Sequence, residues 1–307
     1  MVKRRKGAAR AMDLITPKDP AKVLEEVSQL AQIMGADSRF GLVEESMADT
    51  VRLFRGEYPG FRESNTKYHD LVHTCAVFLA VGRLSHGAWI EGHAITSRGL
   101  VLALCGALFH DSGLIQTEDD QDGTGAKYTI GHEARSIAFM ERYFAERGMP
   151  REDIDDCTHI ICSTILSKPM KEIPFRNPEI ELMGKLLGAS DLLAQMADRS
   201  YLEKLFLLYR EFEEAGIEGF DSELMLLEKT EGFYEHVFKK RLAQDLDNVH
   251  RFMLPHFRDR WNMDYDPYLD SIERSIEYLN VVLKEYKASV HAQLRRDDIL
   301  NDLGKSE

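Results

Sequence analysis

Leu100-Val-Leu-Ala-Leu-Cys-Gly-Ala-Leu-Phe109, running directly into His110-Asp111, is the stretch that decides the reading of this chain. A helix that is apolar on nearly every side lies inside a core rather than on its surface. This one delivers an imidazole and a carboxylate at its end. An unpaired buried carboxylate costs several kcal/mol, so the adjacent pair needs partners. A metal ion would satisfy both groups. The plainer alternative is that Asp111 caps the next element while His110 bonds to a carbonyl.

Outward from that helix, apolar residues recur every three or four positions, and strand-like alternation bounded by turn residues is nearly absent. The expected fold class is all-α. The pattern predicts helices over 20–35, 41–55, 68–84, 97–110, 132–147, 151–165, 179–212, 221–252 and 266–296. Tyr58-Pro59-Gly60, Gly148-Met149-Pro150, Lys168-Pro169 and Asn177-Pro178 punctuate them. The longest irregular stretch, Ser112 to Gly131, begins right after His110-Asp111, and loops of that length inside a compact domain are functional or mobile. One domain over 19–296 is expected, between a disordered basic tail (1–18) and a flexible C-terminal tail (297–307).

The balance of 44% apolar and 30% charged residues is that of a globular protein, and 307 residues suffice for a substantial core. A net charge of −13 disfavours binding to a nucleic-acid backbone, so an anionic substrate would need metal ions or focused basic groups. No run approaches the roughly 20 apolar residues that cross a bilayer, and the start of the chain lacks a secretory apolar stretch. A soluble protein without membrane partners is expected. Cys75, Cys105, Cys157 and Cys162 show no Cys-x-x-Cys spacing, which points to reduced core thiols and a cytoplasmic location.

Three further segments carry candidate chemistry. In Tyr68-His69-Asp70-Leu71-Val72-His73, the two histidines are four apart and would share a helix face. Asp191 lies among Leu187, Leu192, Leu193 and Ala194, again a carboxylate in apolar company. Arg199, about two helical turns further on, is a candidate for contacting a bound phosphate. Gly131-His132-Glu133 opens a helix whose free amides favour an anion, with His132 as ligand or donor. The apolar stripe from Tyr201 to Phe212 reads as core or as a subunit contact, which leaves a homodimer open.

The order His73…His110-Asp111…Asp191 resembles the H…HD…D signature of the HD superfamily of metal-dependent phosphohydrolases. More narrowly, Tyr68-His69-x-x-x-His73 with Val77 is similar to the Tyr-His-Asn…His-Ala-x-Asp-Val motif of class I cyclic nucleotide phosphodiesterases, over roughly residues 40–250. The resemblance implies a helical bundle in which His73, His110, Asp111 and Asp191 hold a first divalent metal. It also implies that Asp111 bridges to a second and that His69 protonates the leaving oxygen. Asp70, Ala76 and Ser112-Gly113-Leu114 depart from the family pattern, and the residues that hold the purine there have no counterpart to name here.

Such a site hydrolyses a phosphoester, expected to be a nucleotide phosphodiester, because two cations about 3.5–4 Å apart neutralise the substrate and bridge a hydroxide that attacks phosphorus. Imidazole and carboxylate ligands suit manganese, iron, zinc or magnesium. Tyr68, His132 and Arg199 are candidate substrate contacts. The same ligand set also serves nucleoside 5′-monophosphatases, other HD phosphohydrolases and non-catalytic ligand-binding modules. A guanosine tetraphosphate hydrolase is disfavoured, since those carry Glu-Asp soon after His-Asp and Ser112 to Ile115 does not.

Overall fold

Asp19 before Pro20 and Asn177 before Pro178 start helices by the same chemistry. The side-chain oxygen accepts from the first free amides, and proline supplies a preset φ where no amide partner is needed. The computed structural model describes residues 16–299. Among these are twelve α-helices and no strand, as the periodicity predicts; two isolated bridges join 55–63 and 61–117. The helices are α1 (Pro20–Ile33), α2 (Gly41–Phe54), α3 (Leu71–Ile90), α4 (Ser97–Phe109), α5 (His132–Glu146) and α6 (Arg151–Cys162). They continue with α7 (Pro178–Met196), α8 (Tyr201–Glu214), α9 (Glu223–Phe233), α10 (Met253–Trp261), α11 (Pro267–Glu285) and α12 (Val290–Gln293).

Two helices form the centre. Every residue of α4 from Gly99 to Phe109 is buried, and so is every residue of α3 from His73 to Ala88. Apolar side chains contribute roughly 1.5–3 kcal/mol each when fully buried. Around this pair pack α1, α2, α6, α7 and α10, with α7 lying along α3. Phe109 meets the rings of Phe139, Tyr143 and Phe144, so α5 is anchored to the end of α4 that carries His110. The buried residues form one contiguous core from Val23 to Leu294. No described helix is long and apolar enough to cross a membrane, and all four cysteines are free and buried.

The helix expected to end at 84 runs on to Ile90, and the one expected over 266–296 stops its regular part at Glu285; four further differences each have a local reason. The helix predicted from 68 begins at Leu71, because the Asp70 carboxylate caps it by accepting from the His73 amide at 2.8 Å. The helix predicted over 179–212 breaks after Met196, where Asp198 accepts from the Ser200 amide in a competing local turn. The one predicted over 221–252 ends its regular part at Phe233, passes through two π-turns, and stops at Asp247 and Asn248, both with positive φ. Pro255 masks α10 in the sequence, although proline is tolerated in a first turn.

The expected tails fall mostly outside the described residues. Within them, Pro17 is buried and Lys18 pairs with Asp297 at 3.6 Å. The stretch from Ser112 to Gly131 contains two short 3-10 turns. It is tied down through Asp120, which accepts from Lys127 and Tyr128, and through Thr124, which donates to Glu214.

Candidate metal centre

Three chain segments bring four candidate ligands together where α3 begins, α4 ends and α7 passes. His73 lies in the first turn of α3, His110 and Asp111 follow α4, and Asp191 sits on α7. The Asp111 Oδ2 atom is 3.4 Å from His73 Nε2 and 3.2 Å from His110 Nε2. Asp191 Oδ1 stands 3.2 Å from His73 Nε2 and 3.8 Å from His110 Nε2. His73, His110 and Asp111 are buried, with one potential ligand atom from each within 4.8 Å of the others, and could hold a metal ion.

The decisive detail is what these atoms lack. His73 Nε2, His110 Nε2 and Asp111 Oδ2 are buried without a hydrogen-bond partner. Buried polar atoms in native proteins almost always have one. They face one another at ion-pair distance without hydrogen-bond alignment, which is the arrangement of ligands around a cation. The ring orientation agrees: His110 Nδ1 donates to the Ala107 carbonyl at 2.8 Å, which turns Nε2 toward the carboxylates.

Asp111 has a second face. Its Oδ1 lies 3.4 Å from His132 Nε2, and His132 Nδ1 donates to the Thr129 carbonyl at 2.8 Å. Both imidazoles therefore present Nε2 to the same carboxylate from opposite helices. Gly113 makes this approach achievable, because a Cβ there would lie 2.0 Å from the His132 carbonyl oxygen. Its amide donates to Ser136 Oγ, and Arg135 donates to the Gly113 and Ile115 carbonyls. These bonds clamp the first turns of α5 onto the segment after Asp111. Gly131, at φ +87°, turns the chain into α5.

His69 lies just before α3 and approaches His73 across the capped turn, with ring centroids 6.0 Å apart, rather than along one helix face. Its Nδ1 bonds to Glu211 Oε2 at 2.6 Å, while Glu211 Oε1 accepts from the Tyr68 amide at 2.7 Å. Glu211 is buried on α8 and absent from the sequence reading. It does lie in the apolar stripe three residues after Leu208, where a carboxylate is out of place, but its partners are some 142 residues away. Burial opposes the His69 imidazolium, yet Glu211, with the charges of Asp111 and Asp191, lifts its pKa to about 9. His110 is likewise lifted to about 9 against burial, by Asp111 and Asp191. Burial disfavours the Asp111 carboxylate, but His110 and His132 hold it well below the usual range.

A cavity of about 290 Å³ opens on the centre and reaches His69, Asp111, His132, Glu133 and Asp191. Tyr68 does not line it: its side chain is buried with the hydroxyl unpartnered, and its backbone holds Glu211. Arg199 does not line it either. The break after Met196 turns Arg199 out of the helix into a separate groove bordered by Lys67, Asp70 and Lys204. The stripe on α8 gains a role beyond packing, since Tyr201, Leu205, Leu208 and Phe212 wall the cavity. No family model matches the chain, and neither does any curated protein or solved structure.

Proposed function

We propose that this protein is a metal-dependent phosphohydrolase, with His73, His110, Asp111 and Asp191 holding one divalent cation and Asp111 shared with a second beside His132. Carrying this reading is the convergence of three buried, unpartnered ligand atoms from two separate helical segments. The resemblance of His73…His110-Asp111…Asp191 to the HD superfamily and to class I phosphodiesterases points the same way. Manganese, iron, zinc and magnesium all suit this mixed nitrogen and oxygen set. When bound, the cations neutralise the phosphoryl group and make water nucleophilic at neutral pH.

The chain's own residues supply the rest. His69, held by Glu211 through Nδ1, carries its second proton on Nε2 and opens on the cavity beside Asp111. In its charged form the ring donates that proton to the departing oxygen. Glu211 fixes the ring and favours its charged form. Help of this kind is worth about 10²- to 10⁴-fold. A nucleotide phosphodiester remains the proposed natural substrate group.

The test uses the purified protein loaded with manganese and assayed on an aryl phosphodiester and an aryl phosphomonoester. Turnover should vanish with chelator, and His69→Gln should slow it by about 10²-fold or more while metal content stays unchanged. A metal-replete protein that hydrolyses neither ester would refute the reading. Full activity in His69→Gln would remove that residue from the chemistry.

A further inference from the structure

The cavity beside the metal centre has two unlike ends. At one end stand the imidazoles and carboxylates; the remainder is walled mainly by α8 and α9, with Leu192 and Gln195 of α7 and Thr164 and Leu166 after α6 completing it. From α8 come Leu205, Leu208 and Phe212, spaced by three and four residues so that they share a face. Leu226 and Phe233, seven apart on α9, line the cavity as well. Phe220, from the turn between these helices, closes against Phe212 with ring centroids 5.3 Å apart.

Charge is the second observation. Among the described residues that line the cavity, Lys229 is the one lysine or arginine. Its ammonium already donates to the Gly219 carbonyl and lies 5.0 Å from the Phe220 ring centroid. Glu133 adds a negative group near the centre. Arginine forks and free ammonium groups are the side chains that recognise phosphate away from metals, and the apolar wall offers none. A second phosphate placed there would be desolvated without a partner, which is strongly unfavourable. A volume of about 290 Å³ is also at the small end for ligand pockets.

We infer that the site takes one phosphoryl group carried on a compact, uncharged, largely apolar or aromatic moiety, and rejects polyphosphates and cyclic dinucleotides. This rests on the reading that the phosphoryl group lies at the metal centre. In that pose the flat or branched apolar part of the substrate occupies the space between Leu208, Phe212 and Phe220. A mononucleotide or a simple aryl phosphate meets the description.

Two measurements on the manganese-loaded full chain test it. By calorimetry, phenylphosphonate should bind about 10-fold or more tighter than methylphosphonate, from burial of the ring, and Leu208→Gln should remove most of that preference. In hydrolysis, an aryl phosphate, AMP or cyclic AMP should be turned over at least about 10-fold faster than ADP, ATP or a cyclic dinucleotide, given the unpartnered extra charge. Equal binding of the two phosphonates, or faster release of phosphate from ADP than from AMP, would overturn the assignment while leaving metal-dependent hydrolysis in place. A ring preference that persists in a protein turning over no ester would instead sustain the assignment and sink the hydrolase reading.

Discussion

Removing the negative charge of Asp111 without changing its size is the sharpest perturbation of the centre. In the metal-free protein, each buried polar atom left without a partner costs roughly 1–3 kcal/mol. His73 Nε2, His110 Nε2 and Asp111 Oδ2 therefore carry on the order of 3–9 kcal/mol of unmet desolvation. A cation bound among them relieves this and stabilises the fold. At a free concentration 100 times its dissociation constant it contributes about 2.7 kcal/mol. For a chain of 307 residues, an unfolding entropy of about 2.1 cal/mol/K per residue moves the melting temperature by about 1.5 °C for each kcal/mol, so the expected rise is roughly 4 °C. Asp111→Asn removes the shared carboxylate charge while keeping the size of the side chain. Its response to metal should fall below about 2 °C, the residue of weak surface binding. Thermal melts in chelator and in manganese, iron, zinc and magnesium read both quantities. A wild type indifferent to all four cations, or a variant that responds as strongly as the wild type, would refute the convergence argument.

Glu211→Gln keeps the shape of the His69 partner and removes its charge. Turnover should fall by about 10- to 100-fold, a part of the general-acid contribution. The alkaline limb of the pH profile should also move to lower pH, because the Glu211 carboxylate is what raises His69 against burial; an unmoved limb would leave Glu211 a purely structural role. Asp266 tests linkage at a distance from the site. Burial pushes this cap of α11 from its ordinary 3.8 up to about 7, against the opposing hydrogen bonds from the Tyr268 and Leu269 amides. The folded protein thus holds a proton that the unfolded chain releases across that window. The stabilisation is full below about pH 4 and is lost as pH rises through 7. Asp266→Asn keeps a capping oxygen and should gain about 2–3 kcal/mol on the wild type between pH 5 and pH 8, read by urea unfolding at both values. A constant difference between the two proteins would contradict the burial argument.

The parts of this structure that were legible in the sequence are those written in local patterns. The apolar run from Leu100 to Phe109 identified a central helix, and the residues at its end, with His73 and Asp191, identified the centre, because charge in apolar company is itself a signal. What was not legible depends on pairing across the chain. His69 meets the centre through the cap that Asp70 makes on α3, whereas a shared helix face was expected. Arg199 left the site because a single local bond, Asp198 to the Ser200 amide, ended α7 early. Glu211 acts on a residue 142 positions away, and no periodicity encodes such a partner. Gly113 is the intermediate case. A glycine after His-Asp is visible in the sequence, but only the packed start of α5 shows that a side chain there would displace the His132 carbonyl.

Orphaned buried nitrogens alone do not mark a metal centre, and the protein contains its own control. His86 on α3 and His256 on α10 are both fully buried, and the Nε2 atom of each lacks a hydrogen-bond partner. Their Nδ1 atoms, however, lie 3.2 Å apart, so one ring donates to the other and the pair is partly satisfied. Burial lowers the pKa of His86, and burial together with the Arg83 charge lowers that of His256 well below the usual range; both rings are held neutral. The carboxylate near this pair, Asp259, stays 3.9 Å from His86 Nε2 and is 58% exposed. At the candidate centre the balance is reversed. The buried Asp111 and half-buried Asp191 carboxylates face the imidazoles, the pKa values of His69 and His110 rise, and the unpartnered His73 Nε2, His110 Nε2 and Asp111 Oδ2 point at one another. A neutral pair can sit in a core as a hydrogen bond between rings. Two carboxylates and two imidazoles with their facing atoms within 4 Å of one another could instead hold a metal ion, which would satisfy them together.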